Sequence, residues 1–445
     1  MAGMKFGRRA LAALTGLTLA SGISAAQAGD VTFWTWRQED RAVYTDLFAE
    51  FTKANPGITV KFEAFPNENY NTIVTTALAG GKGGDVLHAR AYGGLEAMAK
   101  SGYYLPLDKT NVPELANLPD DANASESLRA DGKVYAVSLA GQTLGLIVNQ
   151  DVLAAAGVTM ASDWDGFLGM CKALKAKGIT PIANGTATPW MDAIFATVFT
   201  NPFVGPAWTA DMLAGKTTFS DPKFVGALTR LLDLKDCMPT GFTGVDYPTS
   251  QQLFSAGKAA IFVGGSFEIA PFRRANPKLN LDFVAPPAPA AGQPSHVSRF
   301  FDSGFAINAK SANQADALKL VRWMATKAFA EPAAAKLGNI SSLKDVAAAD
   351  PLLAKVAKLN ETAMPYSTLV YFRFEAPTGT DLLQDGVQKM FGGSATPAEV
   401  GAAITAGLSK WYKPFQKRPP ASPPRAAAGG SGPGSPCFSP PASRS

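Results

Sequence analysis

Val31-Thr32-Phe33-Trp34-Thr35-Trp36, followed at once by Arg37-Gln38-Glu39-Asp40, is the stretch on which the fold turns. Six β-favouring residues that stop at polar and charged ones read as a buried strand delivering its carboxyl end to a surface. In an open α/β sheet the loops leaving the carboxyl ends of parallel strands converge on a crevice, where ligands sit. Two indoles within three residues make this edge chemically conspicuous. Trp34 then belongs to the packing of the first sheet, and Trp36 stands at the mouth of the crevice.

The pattern continues downstream. Residues 40–55 carry Val43, Leu47, Phe48 and Phe51 at helical spacing, and Asn55-Pro56-Gly57 stops the helix. Residues 58–65 alternate and are β-branched, which predicts the second strand of a β-α-β unit and so the seed of a parallel sheet. A second helix over 70–78 leads through Gly80-Gly81-Lys82-Gly83-Gly84 into a third strand at 86–91. That glycine cluster is a helix-to-strand connection rather than a phosphate loop, which would end in Gly-Lys-Ser/Thr at a helix start. Gly215-Lys216-Thr217 has the tripeptide, but Ala210 stands where the leading glycine belongs. A long double strand at 135–153 precedes renewed alternation: a helix at 163–177, strands at 180–184 and 259–264, a strand at 300–308, and helices within 348–411.

Both ends differ from this body. Residues 1–28 combine Lys5, Arg8 and Arg9 with an apolar run and the small-x-small pattern Ala26-Gln27-Ala28, which reads as a secretory signal peptide cleaved after Ala28. Residues 417–445 are mostly Pro, Ser, Gly, Ala and Arg, without an acidic residue, a composition that cannot bury enough apolar surface to offset its ordering entropy, and are read as a disordered tail. The ends also distort the charge. Of 41 basic residues, three lie in the leader and four in the tail, which leaves 34 against 36 acidic ones and turns the formal +5 into about −2. A nucleic-acid or anionic-membrane function thereby loses its bulk support. Cys171 and Cys237 could pair in an oxidising compartment, although spacing alone does not establish it.

Several blocks resemble, in order and spacing, the extracellular solute-binding proteins of sugar ABC importers. They are Leu95 to Asp108 with Gly102 and Leu105-Pro106-Leu107-Asp108; Asp131-Gly132-Lys133-Val134-Tyr135; Leu146 to Val158 with Asn149, Asp151 and Gly157; Asp163-Trp164-Asp165; and Gly257-Lys258 through Gly264-Gly265-Ser266-Phe267. Phe267 stands where that family usually has Trp. The resemblance implies an α/β, two-lobed periplasmic binding protein fold of type II-like character, with a hinge between the lobes and the ligand cleft at their interface. It implies a first lobe from 29–137 plus 285–330 and a second from 138–284 plus 331–416, with a second crossing at 281–287. It also implies a periplasmic monomer that delivers a sugar or polyol to membrane permease subunits, with no cofactor, metal or nucleic acid.

A sugar presents hydroxyls around its ring and C–H groups on its faces, so a site for one combines charged or amide groups with aromatic platforms. Where predicted strands end, the candidates are Trp36, Arg37 and Glu39; Arg90 and Tyr92; Gln142 and Thr143; Trp190 and Asp192; Ser266, Phe267 and Glu268; Asp302 and Ser303; and Arg373 beside Phe374. Trp34 and Trp164 are read as packing residues, and Trp36→Ala is expected to weaken binding without unfolding the chain. Catalysis finds little support. His88 and His296 sit in no metal-binding spacing, no G-x-S-x-G elbow occurs, and no carboxylate pair is nominated for a glycosidase. The alternatives are a binding protein for another solute, such as a glycerophosphodiester or amino acid, and a secreted glycosidase.

Overall fold

The computed structural model describes residues 29–416. The leader and tail expectations for 1–28 and 417–445 lie outside the described residues. Strand β1 (Gly29–Thr35) pairs in parallel with β2 (Ile58–Ala64) and with β3 (Val86–Ala89), as the β-α-β reading requires. Alternation in β1 sends Val31 and Phe33 inward, where helix Arg41–Ala54 covers them with Tyr44, Leu47, Phe48 and Phe51. Phe33 is wholly buried, which contributes roughly 1.5–3 kcal/mol. Trp34 points the other way and is only half-buried, with its ring 4.7 Å from that of Phe65. It packs against the edge of a core rather than in its centre.

Strand β4 (Ala136–Asn149) is a single 14-residue strand rather than two. Strands β5 (Thr180–Ile182), β6 (Ala259–Gly265), β7 (Leu281–Val284), β8 (Ser298–Ile307), β9 (Ile340–Ser341) and β10 (Met364–Pro365) complete one ten-stranded sheet, with main order β2-β1-β3-β8-β4-β6-β5. β4 pairs antiparallel with β8 over Ala136–Leu144, then with β6 and β7 over its last residues. β8 opens beside β10 and closes beside β3. Thus β4 and β8 both run from one half of the molecule into the other.

The second crossing is therefore β8, and not 281–287. That stretch stays with the second half, because β7 pairs Leu281–Val284 with Leu146–Asn149 and buries Phe283 among Phe254, Phe262 and Phe272. Helix Lys327–Leu337, which the sequence reading divided at 330, packs whole into the first core through Phe329, Ala330, Ala333 and Leu337. The chain rejoins the second half between Leu343 and Leu352.

Cys171, on helix Trp164–Ala176, and Cys237 form a disulfide with Cα atoms 5.3 Å apart. Both lie in the second core with Trp164, which is buried as expected of a packing residue. Gly304 in β8 is required by close approach, since a Cβ there would lie 2.7 Å from both Ala136 Cβ and the Glu126 carboxyl carbon.

Candidate functional site

Between the two halves lies a cleft of about 460 Å³. Its first wall is built from the carboxyl ends of the parallel strands, as the topology dictates. Trp36, Arg37, Gln38 and Glu39 follow β1, Pro66, Asn67, Glu68 and Asn71 follow β2, and Arg90 follows β3. The opposite wall comes from several helices and turns. Trp190 and Ile194 lie one turn apart on helix Pro189–Leu213, and Thr380 and Gln384 lie one turn apart on helix Gly379–Phe391. Tyr247, Phe267, Tyr366, Leu369 and Arg373 complete it. Phe300 and Asp302, two apart on β8, face the cleft together because strand side chains repeat every second residue.

Of the sequence candidates, Trp36, Arg37, Glu39, Arg90, Trp190, Phe267, Asp302 and Arg373 line this cleft. The others do not. Ser303 is buried and has φ 67°. Gln142 and Thr143 are buried on β4 and tied to Ser266, whose hydroxyl donates to Gln142 Oε1 at 2.9 Å and accepts the Thr143 N–H at 3.2 Å. Tyr92 accepts the Phe301 N–H on its phenolic oxygen at 3.0 Å and so braces the crossing strand. Glu268 is fully buried and accepts from Tyr247 Oη at 2.7 Å and Gln251 Nε2 at 2.8 Å, so it supports a cleft residue from behind. Burial pushes its carboxyl up to about 7, against the pull of those two donors.

Asp192 lies two residues beyond Trp190, which turns it from the cleft into the interior, where Oδ2 has no partner among the described residues. Burial drives its pKa up to about 9, only partly opposed by Gln388. Because the folded pKa lies above the ordinary value of 3.8, the folded chain holds a proton that the unfolded chain releases. That stability is fully present below pH 3.8 and is lost as pH rises towards about 9. Asp192→Asn is accordingly expected to gain stability relative to the wild type as pH is raised from roughly 5 to 8, read from urea unfolding midpoints. A constant difference across that range would contradict the assignment.

Trp36 is less exposed than its place in the sequence suggests. The residue is 7% accessible, its ring lies 5.2 Å from Tyr70 and 5.0 Å from His88, and it supports the Arg90 guanidinium at 4.1 Å from its centroid. His88 hydrogen-bonds Thr35 Oγ1 at 2.7 Å and Tyr44 Oη at 3.2 Å, and burial pushes it down to about 3, so it is a neutral packing residue. Arg90 donates to Asn71 Oδ1 at 3.1 Å and Asn67 Oδ1 at 2.6 Å. Arg37 bridges Glu39 and Asp40, each at 2.8 Å. Burial works against its charge, but the two carboxylates outweigh this and hold its pKa above the usual range. On the far wall the Trp190 ring meets Tyr247 edge-on at 4.7 Å, and its indole N–H has no acceptor among the described residues. Burial also raises Asp302, with Arg90, Arg37 and Arg373 opposing.

The cleft thus joins aromatic rings to fixed guanidinium, carboxylate and amide groups, the chemistry that holds a hydroxylated ring. Asn67, Asn71, Tyr247, Phe300, Tyr366 and Thr380 were not among the sequence candidates. Phe300 was reachable by alternation from Asp302, and the two asparagines by treating the carboxyl end of β2 like those of β1 and β3. Tyr247 and Tyr366 reach the cleft only through tertiary packing.

A two-lobed α/β fold with its cleft on the crossing strands defines the class of solute-binding proteins. Residues 35–331 match the bacterial extracellular solute-binding protein family, and the chain belongs to it. A "Probable sugar-binding periplasmic protein" of Brucella suis biovar 1 (strain 1330) is 29% identical over 143 residues, which are 31% of this chain and 32% of that one. The chain thus aligns with about a third of the length of that curated relative. Among solved structures, a chitin oligosaccharide binding protein superposes with TM-score 0.74 at 21% identity, covering 87% of this chain and all of the other. An ABC transporter solute binding protein from Thermotoga lettingae TMO, bound with α-D-tagatose, gives TM-score 0.70 at 18% identity over 87% of this chain and 99% of that one.

Proposed function

We propose that this chain is the periplasmic substrate-binding component of an ABC importer, which captures a sugar or polyol between its lobes and delivers it to membrane permease subunits. The observation that carries the reading is the interlobe cleft itself, with Trp36 and Arg90 on one wall facing Trp190, Tyr247, Phe267 and Arg373 on the other. The names of the relative and of the superposed structures point to the same class of ligand. In this reading β4 and β8 serve as the hinge, residues 1–28 direct export, and the chain binds as a monomer without turnover. The first lobe runs to about 137 and resumes from β8 to about 343, and the second takes the remainder of 29–416.

Closure has a visible contact to act through. Asp40 of the first lobe, already paired with Arg37, receives Arg274 from helix Ile269–Ala275 of the second at 3.4 Å. Arg274 is partly exposed, so the pair contributes at most about 1 kcal/mol. Arg274→Gln is expected to weaken ligand affinity up to roughly fivefold at an unchanged melting temperature. An unchanged dissociation constant would remove this pair from closure.

Calorimetric titration of the chain against a panel of sugars and polyols, with an assay for released product, tests the function. Saturable binding without turnover is expected. Product formed from a glycoside would establish the enzyme alternative, and exclusive binding of an amino acid or glycerophosphodiester would replace the ligand class.

A further inference from the structure

Among the described residues three guanidinium groups line the cleft, and they are neutralised unevenly. Arg37 is closed off by Asp40 and Glu39. Arg90 is held by two neutral amides and a ring, with no described carboxylate within ion-pairing distance. Arg373 makes no hydrogen bond or ion pair with any described residue through its side chain, although its backbone is fixed. A Cβ on Gly93 would collide with the Arg373 carbonyl, so the turn after β3 presses directly on that segment. Asp302 lies in the same cleft and accepts from the Ser303 N–H, but no described side chain donates to it.

Arg90, Arg373 and Asp302 nonetheless feel one another's charge. Burial lowers Arg90 to about 10 with Arg373 pushing the same way, while Asp302 works in the opposite direction. Two half-buried cations therefore share one half-buried carboxylate in the cleft. Glu39 is engaged with Arg37, and Glu68 is exposed at the rim, where solvent screens it.

Resting on the reading of the cleft as a sugar site, we propose that its ligand is a sugar acid whose single ionised carboxylate is received by Arg90 and Arg373. The planar guanidinium fork matches a carboxylate with two parallel N–H···O bonds. One added negative charge balances the excess cation and leaves Asp302 to accept from ring hydroxyls. A neutral sugar leaves the two guanidinium groups opposed by a single carboxylate. A phosphate ester brings nearly two negative charges beside Asp302 and overcompensates.

Calorimetric titration with D-galacturonate and D-glucuronate, each beside its neutral parent D-galactose or D-glucose, and with D-glucose 6-phosphate, tests this. At least one acid is expected to bind roughly tenfold or more tightly than its parent. Its affinity should fall with added salt, and Arg373→Gln should collapse the preference. Arg373→Lys should restore part of it, since the charge returns without the fork. Salt dependence in the wild type decides the matter even if a substitution impairs folding. Neutral parents binding as tightly as the acids, or the phosphate binding more tightly than both, would overturn the proposal and leave the sugar-binding reading standing. If neither acids nor any neutral sugar or polyol bound, the reading of the cleft would fall and the proposal with it.

Discussion

Trp36→Ala is expected to lower the stability of the chain by about 3–5 kcal/mol, as for other buried aromatic-to-alanine changes, and to weaken ligand binding as well. The indole is one of the least exposed groups on the cleft wall, packed against Tyr70 and His88 beneath the Arg90 guanidinium. Removing it leaves a void beside a neutral buried imidazole and takes away the platform on which Arg90 lies. Because the ring packs in a core cluster and also lines the cleft, a loss of stability is expected beside the weaker binding. Urea unfolding checks the first effect and titration the second. A variant of unchanged stability would show that the ring is not packed as described. Trp36→Phe keeps part of the packing and should fall between the two.

The second large effect concerns the disulfide. Cys171 and Cys237 are 66 residues apart, and closing a loop of that length restricts the unfolded chain by roughly 4 kcal/mol at 25 °C in the chain-entropy account. Cys171→Ser should lower stability by about that amount, less any relaxation of the unfolded state. Both sulfurs lie in the second core, so mild reductant should act slowly on the folded chain. Thermal melts of the wild type with and without reductant, beside Cys171→Ser, measure the effect. Equal melting temperatures in all three would mean that the crosslink contributes nothing. Sequence spacing left this pairing open because proximity depends on how helix Trp164–Ala176 meets the turn Leu234–Cys237, which is a tertiary matter.

Local elements were legible where side-chain periodicity was strong. β1, helix Arg41–Ala54, β2 and helix Asn67–Ala79 follow from alternation and helical spacing, and their parallel pairing brings Trp36 and Arg90 to one edge. The crossing strands were harder. Pro286-Pro287 resembles a linker, whereas β8 differs from an ordinary strand only in its partners, β10 at one end and β3 at the other. Pairing partners are long-range facts that composition does not carry.

At the site, two of the candidate pairs divide between cleft and interior for a simple reason. Neighbours on a regular strand point to opposite faces, and Asp302 lines the cleft while Ser303, at φ 67°, does not. Residues two apart on a helix diverge by about 200°, so Trp190 enters and Asp192 turns inward. Those two periodicities separate these two pairs, whereas Trp36 and Arg37 both line the cleft and neither Gln142 nor Thr143 does. Tyr247 was beyond that method, because its place beside Trp190 depends on donating its hydroxyl to Glu268, which Gln251 in turn holds.

In the proposed function a sugar, polyol or sugar acid is held between the lobes, against Trp36 and Trp190. Titration of the intrinsic tryptophan fluorescence of the chain with the panel ligand of highest affinity tests it most directly. The account predicts a saturable change for the wild type, and for Trp190→Phe a smaller change with a weaker dissociation constant. No change in the wild type, or an identical dissociation constant and amplitude in the variant, would contradict it.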